Sequence, residues 1–324
     1  MIRNKETIEL MNEYGRNRIP FIFIIDFEGN KPEVLGLTDL PKNEILFNIN
    51  GITNYSKIIV PKKRMVFQKT PPNYENYLNS FEIVMENINS GNTYLCNLTF
   101  PTQIEVNVSL EELFFLSKAK YKLFYKNQFI VFSPECFVKI EDGKIFSFPM
   151  KGTIDASIPD AEKIILSDKK ELAEHTTIVD LIRNDLSIVS TEVLVEKFRY
   201  VEKITTNQKN LLQVSSIISG RLPSDYQSKL GEIIFSLLPA GSISGAPKTK
   251  TVEIIKDAEN YERGYYTGVF GIFDGKNLDS AVMIRFIEKI KDKFYFKSGG
   301  GITFQSQPEK EYQELIDKVY VPII

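Results

Sequence analysis

Tyr265-Tyr266-Thr267-Gly268-Val269-Phe270-Gly271-Ile272-Phe273 is followed by a second apolar run over 279–288 and a third over 292–299. Rich in aromatic and β-branched residues, they read as three strands in succession with no helix between them. The same habit recurs along the chain. Pro20 to Asp26 reads as a buried strand bounded by the Gly29-Asn30 turn, and 121–125 with 129–133 as a hairpin across Lys126-Asn127. Further strands fit about 191–201 and 211–220. Strand runs far outnumber strand–helix–strand alternations. The predicted fold is therefore α+β: a single large domain over 1–324 with extensive antiparallel sheet and surrounding helices, not a doubly wound one.

Helices punctuate this pattern. Tyr74, Leu78, Phe81, Met85 and Ile88 recur at helical spacing over 74–90, with Gly91 as a stop. Residues 168–186 are the strongest helix, capped by Asp168 with Glu171 three residues on, and Leu172, Thr176, Val179, Ile182 and Leu186 form one face. A helix near 226–238 runs into the small-residue loop Gly241 to Lys248, which opens another helix with Pro247 in its first turn. Ser306 and Glu309 read as a capping box for a last helix that starts with Pro308.

The chain has 324 residues, 43% hydrophobic and 25% charged, which is the balance of a globular protein. Its 40 basic and 42 acidic residues leave a net charge of −2, no footprint for nucleic acid or an anionic membrane. Cys96 and Cys136 lack metal-ligand spacing, and the single histidine, His175, argues against a histidine-rich metal site or triad. No signal-peptide pattern and no run of 18 apolar residues are present, so a cytoplasmic protein is expected.

Phe148-Pro149-Met150-Lys151-Gly152-Thr153 sets one lysine against a Gly-Thr turn after a strand, and Glu135 lies 16 residues earlier (151 − 135). An amine and an acid so placed can serve as nucleophile and proton donor; a solvated surface lysine is the other reading. Glu171 with Glu174, and Glu311 with Glu314, are i,i+3 pairs on separate helices, and Lys318 follows Glu314 by four. Facing acidic pairs suit a hard cation such as Mg²⁺, although exposed helix faces with ordinary ion pairs look the same. The loop 241–248 offers backbone amides and Lys248 to an anion at a helix start, or is simply a tight connection. Gly299-Gly300-Gly301 admits a ligand close to the backbone or forms a bulge. Arg285, at the end of an apolar strand, is a donor for a planar carboxylate. Together these point to a small, multiply anionic substrate.

The motifs from Gly91 to Val321 resemble the chorismate-utilising enzymes, whose members include anthranilate, aminodeoxychorismate, isochorismate and salicylate synthases. The resemblance rests on Gly91-Asn92-Thr93-Tyr94-Leu95-Cys96-Asn97-Leu98, Ser133-Pro134-Glu135, Lys151-Gly152-Thr153 and Ala173-Glu174-His175 with 178–186. It continues through Gly241 to Lys248, Tyr265-Tyr266-Thr267-Gly268, Gly299-Gly300-Gly301-Ile302, Glu311-Tyr312-Gln313-Glu314 and Asp317-Lys318. It implies the fold of the anthranilate synthase large subunit, with a shortened N-terminal part over 1–66 and catalytic motifs over 67–324. It implies Mg²⁺ on Glu174 and Glu314, with Glu171 and Glu311 beside them. Chorismate would be held by Arg285, Lys318, Gly299, Gly300, Gly301, Tyr266, Ser244, Gly152 and Thr153. Glu135 would be the general acid.

Lys151 discriminates within the family. Anthranilate synthases carry a small residue there; the aminodeoxychorismate branch carries a lysine thought to attack C2 of chorismate, after which ammonia adds at C4. The amine must be neutral to attack, so burial or a neighbouring cation should lower its pKa. Gln213 stands where the family often has a histidine, which argues further against the anthranilate reaction. The sequence has no Cys-His glutaminase pattern, so a separate glutamine amidotransferase subunit is the expected ammonia source. The alternatives are an anthranilate synthase, an isochorismate or salicylate synthase, and a non-catalytic chorismate-binding regulatory subunit.

Overall fold

Phe21–Ile25 is buried at all five positions because it lies inside a sheet with a packed layer on each face. Alternation divides its side chains. Ile22 and Ile24 face one core, whereas Phe21, Phe23 and Ile25 face another. The computed structural model describes residues 2–41, 43–56, 65–205 and 210–323; positions 42 and 57–64 of the N-terminal part fall outside these. Among the described residues every strand pairing is antiparallel, in two sheets of nine strands each. The architecture is the α+β one expected.

The first sheet runs Met150–Asp155, Asn210–Arg221, Lys144–Ser147, Cys136–Glu141, Leu278–Val282, Val269–Phe273, Phe21–Ile25, Glu33–Gly36, and Thr191–Thr205 also pairs with Asn210–Arg221. The second runs Gly245–Ala246, Leu95–Val106, Lys293–Ile302, Phe286–Ile290, Phe129–Ser133, Tyr121–Tyr125, Ile45–Ile49, Ile52–Thr53, and Phe67–Thr70 also pairs with Leu95–Val106. Ile22, Ile24, Phe270 and Ile272 of the first sheet meet Phe47, Leu123, Val131 and Phe286 of the second in a shared core. Helices cover the outer faces. Met11, Val179, Leu230, Ile234 and Ile255 join a core cluster that takes in residues of both sheets, and Leu113 and Phe114 pack over the second.

Several elements match the sequence reading. The hairpin turns at Lys126 and Asn127, both with positive φ (46° and 50°). Tyr74–Asn89 is helical with Asn73 as cap, although its buried stripe is Tyr77, Phe81, Val84 and Ile88. Lys169–Val189 is helical, and Asp168 accepts from the Glu171 amide at 3.0 Å.

Other elements differ. The run 279–288 is two strands, Leu278–Val282 in the first sheet and Phe286–Ile290 in the second. The chain crosses between sheets at Arg285, whose φ is 54°. The helix face at 169–189 buries His175 and Leu181 in place of Leu172 and Thr176, because its first turns lie beside the strand Met150–Asp155 and not over the core. The capping box at Ser306 does not form: Gln307 is the cap residue, and Ser306 accepts from the Thr303 amide instead. Ile2–Arg16 is a helix the sequence reading lacked. It lies against the helix Leu230–Ser236 so closely that a Cβ on Gly231 would sit 2.4 Å from the Ile8 carbonyl oxygen.

A buried ion pair ties the layers. Arg263 and Glu259 side chains are 2% and 1% exposed and meet through two hydrogen bonds, Nε to Oε2 at 2.8 Å and Nη2 to Oε1 at 2.6 Å. Arg263 also donates to the carbonyls of Ile243 (3.0 Å) and Asn97 (2.6 Å). Glu259 accepts from the Thr99 amide and hydroxyl at 2.9 and 2.8 Å. Removing one partner strands the other charge away from water. Glu259→Ala should therefore lower unfolding free energy by about 3–5 kcal/mol, read as a reduced urea midpoint. A loss below about 1 kcal/mol would mean that the arginine finds water or another acceptor.

Candidate active site

A cavity of about 430 Å³ lies where the strand Met150–Asp155 of the first sheet approaches Leu95–Val106 and Lys293–Ile302 of the second. The helix Lys169–Val189 closes one side with Glu174, Thr177 and Ile178, and the turn Gly241–Ser244 another. Gly245, which follows that turn, has φ 132° and sits so near the Leu95 carbonyl that a Cβ would be 1.9 Å from its oxygen. Only glycine lets the turn fold back onto this strand.

Most of the expected residues converge here. Lys151, Glu135, Glu174, Arg285, Lys318, Tyr266, Ser244 and Gly299 to Gly301 all line the cavity. The two sheets bring them together: Gly299, Gly300 and Gly301 pair with Thr99, Leu98 and Asn97, and Met150 pairs with Ser215. Gly152 and Thr153 are placed elsewhere. Gly152 has φ 80° and lies against Glu171, while Thr153 is exposed and pairs with Gln213 on the neighbouring strand. Neither they nor Gln213 line the cavity. Lys248 also points away, paired with Asp185 at 2.8 Å and donating to the Leu237 carbonyl at 3.1 Å. The loop 241–248 thus contributes Ser242 to Gly245 to the cavity, without its lysine.

Charge inside the cavity is matched locally. Lys151 Nζ lies 2.8 Å from Glu174 Oε2, and Lys170 approaches the other oxygen at 3.6 Å. Lys318 Nζ bridges Glu314 at 2.7 Å and the Gly299 carbonyl at 2.8 Å. Arg285 donates to the Lys318 carbonyl at 2.6 Å and stacks 4.6 Å over the Tyr320 ring. Glu311, Glu314 and Lys318 all lie near the Gly300 backbone.

Burial pushes the Lys151 ammonium down, but Glu174 first, then Glu314 and Glu171, outweigh it, and its pKa ends above the ordinary lysine value. This direction is opposite to the expected depression, because the three carboxylates together outweigh burial. Glu171 and Glu311 are pushed up by burial and by nearby acids, whereas Lys318 and Lys151 hold Glu314 down. Glu135 is raised by burial, against the opposing pull of Ser242 and Lys318, and accepts from the Ser242 hydroxyl at 2.5 Å. A carboxyl so raised keeps a proton to give.

The state of the four glutamates bears on whether they suit a cation. Among the described residues no three acidic, histidine or cysteine side chains stand together as a metal-holding group. Yet Glu171 Oε2 is buried without a hydrogen-bond partner, in a neighbourhood of further carboxylates. An orphaned carboxylate oxygen among like charges fits a hard oxygen-seeking cation.

Sequence reasoning missed Asn97, Thr267, Lys297 and Phe304, which also line the cavity. Lys297 is 2% exposed and pairs with Glu288 at 2.7 Å. Its signal was a lysine inside an otherwise aromatic strand. Asn97 Oδ1 is buried without a partner; nothing in its motif distinguished it from a core polar residue.

Residues 42–323 match the family described as chorismate binding enzyme. An uncharacterised PabA-like protein of Haemophilus influenzae is 52% identical over 98% of this chain and 96% of its own length. Anthranilate synthase component 1 of Acetivibrio thermocellus is 37% identical over 57% of this chain and 38% of that protein. The crystal structure of anthranilate synthase component I from Streptococcus pneumoniae superposes with a TM-score of 0.67 at 27% identity, covering 80% of this chain and 60% of that one. The menaquinone-specific isochorismate synthase of Escherichia coli shares the fold, with a TM-score of 0.71 at 15% identity over 97% and 80% of the two chains.

Glu174→Gln should let burial dominate at Lys151, lowering its pKa from its present raised position. The amine would then react with acetic anhydride at lower pH than in the parent protein, read by peptide mass. An unchanged labelling profile would mean that Glu174 does not hold the ammonium charged.

Proposed function

The chain belongs to the chorismate-binding enzymes, and from that premise we propose that it is the chorismate-aminating component of an aminodeoxychorismate synthase. The observation that carries this reading is the Lys151 amine, which lines the cavity 2.8 Å from Glu174 while Glu135 lines the same space. A lysine at this position supplies a nucleophile.

Arg285, Lys318 and the Gly299 to Gly301 backbone hold the carboxylates of chorismate. Lys151 Nζ gives up its proton, for which Glu174 Oε2 is the acceptor in reach, and attacks C2. The ring double bonds shift and the C4–O bond breaks as Glu135 donates its proton, so the hydroxyl leaves as water. Ammonia then adds at C4, the double bonds shift back, and the C2–N bond to Lys151 breaks. The product is 4-amino-4-deoxychorismate, and the lysine is regenerated as an amine. Glu174 and Glu314, with Glu171 and Glu311 beside them, would hold Mg²⁺. When bound, Mg²⁺ would supply positive charge that neutralises the ring carboxylate.

Ammonia comes from a glutamine amidotransferase partner in this reading. The one histidine, His175, is buried with Nε2 2.7 Å from the Ser216 hydroxyl, and burial first, then Arg199 and Lys151, push it down to about 4. Cys96 and Cys136 are buried, with thiols pushed up to about 12. Neither cysteine is an activated thiolate of the kind a glutaminase uses. No helix among the described residues is long and apolar enough to cross a membrane, in keeping with a cytoplasmic setting.

Incubation with chorismate, Mg²⁺ and ammonium should yield 4-amino-4-deoxychorismate by mass, and glutamine in place of ammonium should yield none. Lys151→Ala should cut that product by about 10³-fold or more, the scale of losing a nucleophile. Product formed by Lys151→Ala at near the parent rate would defeat the covalent role, and anthranilate or isochorismate from the parent protein would defeat the assignment.

Glu314→Gln should weaken Mg²⁺ binding roughly ten-fold or more in calorimetric titration, and chelation should remove activity. Glu135→Gln should leave Mg²⁺ affinity alone and lower turnover by about 10²–10⁴-fold. The reverse pattern would exchange the roles of these carboxylates.

A further inference from the structure

A second cavity, of about 30 Å³, shares Glu135, Pro149 and Ser242 with the large one and is otherwise lined by different residues, among them Asp185 and Ser147. Its volume suits one or two waters, and a buried water needs two to four polar partners. Glu135, Ser242, Asp185 and Ser147 supply them; most of the remaining lining is apolar. Ser242 donates to Glu135 Oε1 at 2.5 Å. A hydroxyl that donates on one side has lone pairs to accept on the other.

Asp185 connects this small space to the outside. Its side chain is 14% exposed and pairs with Lys248, 20% exposed, at 2.8 Å. Its second oxygen lies against Gly241, where a Cβ would be 2.7 Å away. The residue after that glycine is Ser242, so acid, turn and hydroxyl are adjoining parts of one structure.

We infer that Asp185 supplies the proton that recharges Glu135, through water in the small cavity and the Ser242 hydroxyl, an inference that rests on Glu135 being the acid of the reaction above. Each turnover breaks the Glu135 O–H and the substrate C4–O bond and forms an O–H of the departing water. The Glu135 carboxylate then takes the Ser242 proton, Ser242 takes one from the cavity water, and that water takes one from Asp185. Asp185 rests ion-paired with Lys248, takes a proton from solvent beside that lysine and passes it on, so each carrier ends as it began. Burial pushes the Asp185 carboxyl up, against the pull of Lys248 and the Gly241 amide. It therefore holds a proton at higher pH than an exposed aspartate does. Asp185 does not touch the substrate; it acts through Ser242. The route matters because Glu135 lines both cavities, and substrate in the large one would occupy its other side.

The test uses the whole chain with chorismate, Mg²⁺ and ammonium. Asp185→Asn keeps the shape and an oxygen for Lys248 but carries no ionisable proton. Its kcat should fall about ten- to a hundred-fold while KM for chorismate stays within about two-fold, and the solvent deuterium isotope effect on kcat should rise. Asp185→Glu should recover much of the loss. Ser242→Ala should show the same raised isotope effect, whatever the folding of the Asp185 variants. A kcat for Asp185→Asn within about two-fold of the parent would overturn the relay. A fall in either variant with an unchanged isotope effect would overturn it too. The product mass from the parent protein judges the reaction itself, and the ratio of variant to parent judges the relay, whichever product forms.

Discussion

The Arg263 fork is the constraint on which the cavity depends. It holds Glu259 at the end of one helix, the Asn97 carbonyl on a strand of the second sheet, and the Ile243 carbonyl in the turn below the cavity. Asn97 and Ile243 both line the cavity, so one guanidinium sets the distance between two of its walls. Burying such a pair is a weak source of stability, since dehydrating two charges offsets much of their attraction. Its value here is geometric. A planar group with five donors in fixed directions admits one arrangement of its acceptors, and Thr99 completes the shell of Glu259. Apolar side chains in the same place could fill the volume without specifying where each wall stands.

Within that frame the site balances its own charge. Lys151 and Lys318 each take one carboxylate, and Lys170 shares one. Both partners of the Lys151 and Lys318 pairs have work in the proposed reaction, so in that reading the resting arrangement is one that substrate and cation exchange. Exposed ion pairs of this kind are weakly held, and Glu314, with its side chain 52% exposed, is among them. The Arg263 pair is buried and stays; the lysine pairs are partly exposed and can part. Glutamate paired with a buried arginine thus builds a fixed wall, and glutamate paired with lysines a replaceable interior.

Much of this was readable in the chain, and the exceptions have physical causes. The hairpin at 121–133 and the helix after Asp168 are specified locally, by turn residues and a cap, and both are present. Within 279–288 the strand end at Arg285 was legible, but not the change of sheet there, which is decided by partners far away in sequence. The helix Ile2–Arg16 has no strong apolar face and is held by close backbone approach at Gly231, which sequence spacing does not report. Motif positions led to Lys151, Glu135 and Glu174 but not to the raised Lys151, because that shift arises between elements. Lys297 and Asn97 escaped because a polar residue in a strand does not announce which face it takes.

The pairing of Gly299 with Thr99 closes the cavity across a sequence separation of 200 residues (299 − 99). Contacts so distant along the chain cost loop-closure entropy before they return any stabilisation, and sheets built from them form slowly. During synthesis the early strand Leu95–Val106 has Phe67–Thr70 beside it, but its long partner Lys293–Ile302 begins only 187 residues later (293 − 106). Until then that edge offers free backbone groups to any extended segment nearby. A nascent chain of this protein therefore carries an unfinished sheet until residues 293–302 are made, and the cavity they line takes shape only after them.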